Sequence, residues 1–299
     1  MPSGLEWVAT PAFAGAAVQA AVPLFLAVLA ALVCERAGLV NLGLEGMMLA
    51  GACVGAAMTL RLGPGPGLAF GVVAGVWLAL LHALATVQFG VDQIVSGLAV
   101  NVLAFGAVRP LGVSAFGPAG TSPKLEHLPA IAVPWIGGLS PLVPLALLLG
   151  LVALLALRFG IAGPRLDAAA LAPRAAEAAG LDTDRLRYGA LATCGALAGL
   201  AGAGLSIELV GHYQPGITQG RGFLALALCV LVGRSVLGGL VAAALLGALQ
   251  AVPAFLPAGP GSSVLPVAPF LVVLVALAVL GRRRVSRTAP DGWRAGVTL

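Results

Sequence analysis

Of 299 residues, 60% are hydrophobic and only 9% charged, with 42 glycines and 21 prolines, a composition that excludes an ordinary soluble domain and describes a polytopic membrane protein. The net charge of +5 does not point to nucleic acid, because the arginines lie in short loops between apolar runs and form no single basic face. The four cysteines (Cys34, Cys53, Cys194, Cys229) stand singly, without a Cys-x-x-Cys pair or a histidine at ligand spacing, so they read as small packing residues, and no metal or other cofactor is expected.

In chain order, apolar stretches of spanning length run from Phe13 to Cys34, Leu42 to Leu60, Leu68 to Phe89, Ile94 to Val108, Leu142 to Leu157, Tyr188 to Val210, Val236 to Leu256 and Val264 to Leu280, with a shorter one at Phe223 to Val232. They predict an all-α bundle of about eight to nine spans, forming one domain over residues 1–299. No Lys or Arg precedes Arg36, so the first stretch is expected to be a retained span and not a cleaved signal peptide. Gly63 to Pro66 (GPGP) reads as a tight outer turn. Five prolines between Pro118 and Pro141 make 111–141 an extracytoplasmic loop, with room for a short surface helix around Lys124 to His127.

With the N-terminus outside and every stretch crossing, twelve of the sixteen basic residues face inward, including Arg36, Arg158, Arg165, Arg174, Arg185, Arg187 and Arg234. Arg61, Arg109, Lys124 and Arg221 stay outside. The positive-inside bias therefore predicts N-out and C-in, with the arginine-rich tail after Leu280 as a stop-transfer anchor and an anionic-lipid contact.

The segment 158–187 is the one long polar stretch and is expected on the cytoplasmic face. Pro173 suits the first position of a short helix, Arg174 to Ala179 are mostly helix formers, and Gly180 can close it in a left-handed conformation. A helix of about two turns is unstable alone in water, which suggests a docking element built from Pro173, Arg174, Ala176, Glu177, Ala179 and Gly180. An ordinary basic loop that only sets topology is the competing possibility.

Three acids, Glu45, Asp92 and Glu208, lie beside or within apolar stretches, where an ionisable side chain is costly and marks a site by default. Structural roles are as consistent: Asp92 is placed to cap the helix starting near Ile94, and Glu45 to sit at the positive end of the second span. His82 reads as a packed, hydrogen-bonded residue. No GxSxG, HExxH or GxxxxGK[ST] occurs, so no enzyme is expected and no ATP site of Walker type. Gly43, Gly46, Gly51 and Gly55, and later Gly195, Gly199, Gly202 and Gly204, predict close helix packing.

The stretch ERAGLVNLGLEGMM (Glu35 to Met48) resembles the signature of permease subunits of ABC importers in the branched-chain amino acid, simple sugar and nucleoside group. It is most similar to the shorter nucleoside-type permease. DQIVSGLAVNVLAFG (Asp92 to Gly106) and GRGFLALA (Gly220 to Ala227) follow in the same order as in that family. The resemblance implies a type II importer permease of the cytoplasmic membrane, paired with a second homologous permease, ATP-binding cassette subunits and an extracytoplasmic substrate-binding lipoprotein. It also implies that 158–187 is the coupling loop. Two departures stand out: Ala170 to Pro173 replaces a Gly-Glu-Asn-Pro-like run, and no proline follows Gly233–Arg234–Ser235.

A nucleoside path needs a few amides or hydroxyls among apolar walls and little fixed charge. Gln19, Asn41, Gln93, Ser96, Asn101, Thr193, Ser206 and Gln250 are the polar groups on offer, and Asn41, Glu45, Gln93 and Asn101 are the candidates for lining it. Helix-to-helix packing is the alternative for Asn101. Uptake of a simple sugar or a branched-chain amino acid, or an ion-coupled secondary carrier using the three acids, remain open from sequence.

Overall fold

A computed structural model describes residues 6–135, 137–256 and 267–288. The fold is an all-α bundle. The first helix, α1 (Pro11–Arg36), starts on Thr10, whose hydroxyl accepts from Phe13 N at 3.3 Å, with Pro11 at the first helical position. It is followed by α2 (Leu44–Leu62), α3 (Pro64–Ala83, continued to Gln88 by a π-helical turn) and α4 (Gln93–Phe116). The loop between α4 and the next helix carries a two-stranded antiparallel hairpin, β1 (Ile131–Val133) and β2 (Gly137–Leu139), with Ile131 opposite Leu139. Then come α5 (Leu142–Arg158), α6 (Ala162–Leu171), α7 (Pro173–Ala178), α8 (Thr183–Gly204, continued to Leu209), α9 (Arg221–Val232), α10 (Val236–Ala251) and α11 (Ala268–Thr288).

Burial separates centre from periphery. The most apolar windows of α1 and α8 are 78% and 83% buried, against 33% for α3, α4 and α10, so two helices that are apolar all round form the axis and the others cover them. The glycine expectation holds at backbone level: a Cβ on Gly202 would overlap the Met48 carbonyl, one on Gly51 the Gly199 carbonyl, and one on Gly75 the Gly195 carbonyl. α2, α3 and α8 therefore touch main chain to main chain. Gly71 and Gly75 supply the α3 side of that contact, which the sequence pattern had not singled out.

Several expectations are corrected. Among the described residues five helices are long and apolar enough to span, six if the α5–α6 pair, bent by 65°, counts as one; α2, α9 and the apolar part of α11 are not among them, so a count of eight to nine is not confirmed. The loop expected over 111–141 starts only after Phe116, since α4 continues through Pro110. Lys124 to His127 carries no helix. The turn expected over Gly63 to Pro66 shrinks to Gly63, with Pro64 already in the first turn of α3. Residues 264–266 and the tail from 289 lie outside the described residues, as do the side chains of the arginines from Arg282 to Arg287.

Candidate functional site

With 12 residues, α9 rises only about 18 Å, less than a hydrocarbon core of ~30 Å. Its N-terminus must therefore end inside the bundle, where unpaired N–H groups are expensive. Glu45, 2% exposed near the start of α2, meets that need. Its Oε1 accepts from Gly220 N at 2.8 Å and from the Thr218 hydroxyl at 2.6 Å, and its Oε2 accepts from Gly222 N at 2.7 Å. The carboxylate thus serves the positive end of α9, where the sequence suggested that of its own helix. A Cβ on Gly222 would lie 2.6 Å from Glu45 N, so the Gly-Arg-Gly entry owes its second glycine to this contact. Arg221 is turned into the bundle, not out: its Nε donates to Gln250 Oε1 on α10 at 3.1 Å, and its Nη1 to the Ile217 carbonyl at 3.2 Å.

The other three path candidates converge on the non-helical link between α1 and α2. Val40 N donates to Gln93 Oε1 (2.7 Å), Gly43 N to Asn41 Oδ1 (3.0 Å) and Gly46 N to Asn101 Oδ1 (2.8 Å), while Asn101 Nδ2 donates to the Leu42 carbonyl (2.8 Å). Asn41 Nδ2 also reaches Cys194 Sγ on α8 at 3.3 Å. Irregular backbone inside a membrane protein needs such partners, and these amides supply them. The remaining polar groups are engaged as well: Gln19 with Gly138 O, Ser96 with His82 Nδ1, Thr193 with Gly189 O, Ser206 with Ala52 O and Gln250 with Arg221. Of the four candidates Asn41 alone lines a cavity of about 340 Å³, walled also by Glu35, Leu39, Phe223, Cys229 and Leu277.

The predicted short helix over Arg174–Ala179 runs from Pro173 to Ala178. Gly180, at φ 85°, closes it: Leu181 N donates to the Ala176 carbonyl (3.0 Å) and Gly180 N to that of Glu177 (2.9 Å), a Schellman closure. Glu177 accepts from the Thr183 hydroxyl at 2.6 Å, tying α7 to the start of α8. Within α7 only Ala176 is buried; Arg174, Glu177, Ala179 and Gly180 are exposed, and Leu171 just before is 76% exposed. A polar cap is missing, since the residue ahead of Pro173 is Ala172, which offers no side-chain acceptor. α6 and α7 are thus a short helical pair, with α6 bent by 65° from α5, whose exposed surface mixes Leu171 and small residues with Arg165, Arg174 and Glu177.

Sequence inspection missed what holds this pair. Asp167 on α6 pairs with Arg36 at the end of α1 (3.0 Å) and with Arg234 in the α9–α10 turn (3.1 Å), and Gly38 in the α1–α2 link lies against Ala170. The signal available was only an aspartate in a basic segment. Asp92 caps α4 as expected, accepting from Ile94 N at 2.9 Å. Glu208 accepts from Leu128 N (2.8 Å) and the Ser140 hydroxyl (2.5 Å), fastening the loop between α4 and α5. His82 is fully buried against Ser96. All four cysteines are buried and free, and among the described residues no three His, Cys, Asp or Glu side chains group to hold a metal.

The family model described as branched-chain amino acid transport system / permease component matches residues 13–280. The chain is 34% identical over 251 residues to TsgC13 of Haloferax volcanii, a permease provisionally assigned to glucose, covering 79% of this chain and 75% of that one. It is 30% identical to the guanosine ABC transporter permease NupQ of Bacillus subtilis (77% and 78% covered), and 27% identical to the nucleoside ABC transporter permease NupC of Lactococcus lactis (90% and 92% covered). No solved structure gives a significant match.

Proposed function

Because the chain belongs to the permease family of branched-chain amino acid transport systems, and is therefore a multi-pass ABC transporter permease, we propose that it imports nucleosides and is driven through α6–α7. Membership of that family brings with it ATP-binding subunits and a substrate-binding protein, and it displaces the ion-coupled carrier. The observation that carries the coupling role is the exposed, small-residue surface of a two-turn helix that has no reason to persist alone in water. In this reading Pro173 and Gly180 fix the ends of the docking helix, Arg174, Glu177 and Ala179 meet the ATPase, and Ala176 seats the helix on its own chain. A second, homologous permease completes the path as a heterodimer, and Asn41 lines its inner part.

Two relatives named for nucleosides support the substrate, as does a cavity whose wall is largely apolar beside Asn41 and Glu35. The relative assigned to glucose favours a sugar instead. Cells carrying the complete transporter are expected to accumulate labelled guanosine and uridine in an ATP-dependent way. Accumulation of glucose or leucine with no response to any nucleoside would overturn the substrate.

The N-out, C-in orientation rests on the basic bias. Single cysteines at Pro118 and Glu177 in a cysteine-free background should react with an impermeant thiol reagent from outside and only after permeabilisation, respectively. Equal reaction of both from outside would reverse the orientation.

A further inference from the structure

Beside the Glu177–Thr183 hydrogen bond and the Gly38–Ala170 contact, the pair α6–α7 is held by one carboxylate that reaches two other elements. Asp167 Oδ2 takes Arg36 Nη1 at 3.0 Å and Oδ1 takes Arg234 Nη1 at 3.1 Å, so one side chain ties α6 to the end of α1 and to the α9–α10 turn. The two arginines are tied to each other's elements as well: Arg36 Nη2 donates to the Arg234 carbonyl (3.5 Å) and Arg234 Nη2 to the Glu35 carbonyl (3.2 Å). Arg234 itself holds φ 60°, a left-handed conformation that a side-chain-bearing residue adopts only when its surroundings impose it. The imposed contacts are those with Asp167 and Glu35. Glu35 then accepts from Cys229 Sγ at 2.7 Å, and both Glu35 and Cys229 belong to the wall of the 340 Å³ cavity. A continuous chain of polar contacts therefore runs from α6 through Asp167, Arg234 and Glu35 to that cavity. Asp167, Arg234 and Glu35 are about a third exposed and Arg36 a fifth, with its Nε buried, so the Arg36 pair is the firmer anchor and the Asp167–Arg234 pair is the one that can part and reform with water as substitute partner.

We propose that Asp167 is the positioning residue through which movement of α6–α7 reaches the α9–α10 turn and the inner cavity, its two ion pairs acting as a hinge pin between coupling element and path. This rests on the coupling role proposed for α7. If α6–α7 is displaced while Asp167 keeps hold of Arg234, the strained turn moves with it and carries Cys229 and the start of α10. Without the carboxylate, α7 can still occupy the ATPase, but the turn no longer follows.

The test compares wild type, Asp167→Asn and Asp167→Glu as complete transporters in proteoliposomes, with binding protein and labelled guanosine. The readouts are co-purification of the ATP-binding subunits, thermal midpoint, ATP hydrolysis with and without loaded binding protein, and ATP consumed per guanosine carried. Asp167→Asn is expected to assemble with an unchanged midpoint, to lose most of the stimulation by loaded binding protein, and to raise the ATP consumed per guanosine at least tenfold; Asp167→Glu restores the ratio to within about threefold. An Asp167→Asn complex that assembles and couples like wild type would overturn the hinge alone. A fall in midpoint with hydrolysis and uptake dropping together would reduce Asp167 to a packing role. Failure of ATP-binding subunits to co-purify with the wild type would overturn both the coupling role and the hinge.

Discussion

Glu45 and Asp167 each fasten one element to others far away in sequence, yet they do so in opposite ways. Glu45 is buried and accepts hydrogen bonds from one hydroxyl and two backbone N–H groups, all from residues 218–222, with the Arg221 guanidinium within electrostatic reach. Asp167 is a third exposed and faces two guanidinium groups on two different elements. A buried carboxylate whose partners are fixed dipoles cannot let go without leaving charge and donors unpaired, so it behaves as a rivet. A carboxylate a third exposed between long arginine side chains can exchange one partner for water, so it behaves as a joint. The close-packed interior around α2 and α8 belongs with the first, and the α6–α7 pair with the second.

That contrast can be broken by ranking substitutions. Glu45→Leu should have the largest effect, at roughly 3 kcal/mol or more, since three buried donors lose their acceptor at ~1 kcal/mol or more each; membrane levels and the thermal midpoint in detergent report it. If Glu45→Leu accumulates normally with an unchanged midpoint, the carboxylate is no rivet. Gly202→Val comes next, because its side chain would meet the Met48 carbonyl, which is backbone and cannot swing aside. We expect a loss of about 1–3 kcal/mol, visible as a lower midpoint and weaker expression, whereas the same change at Gly189, which faces open space, should be tolerated.

Asn101→Leu leaves Gly46 N and the Leu42 carbonyl without their partner, at a cost of about 1–2 kcal/mol. Measuring initial uptake per folded transporter separates the two roles the sequence offered: a path-lining amide lowers the rate per molecule, and a packing amide lowers only the number of molecules. The smallest effect on stability belongs to the exposed surface of α7. Ala179→Arg should change the midpoint by less than about 0.5 kcal/mol and still abolish uptake, while Ala176→Arg, at a site 5% exposed, should damage both. Full transport by Ala179→Arg would remove the docking role and leave α6–α7 as a topological loop.

Much of this was legible in the residues themselves, because it depends on local rules. Composition and apolar run length dictate a membrane bundle; Asp92, Pro173 and Gly180 announce helix ends through capping and backbone preference; and the glycines of α2 and α8 announce close packing. Span boundaries were less legible, since hydropathy does not register that α4 continues past Arg109 and Pro110. Which partner each polar residue takes was not legible at all. Glu45 lies 175 residues from Gly220 in the chain, and only the fold reveals that the end of a helix too short to cross the membrane must be satisfied there. Asp167 likewise carried no mark beyond its charge; the junction of α1, α6 and the α9–α10 turn makes it a shared partner, because ion pairs depend on distances in space that no local pattern encodes.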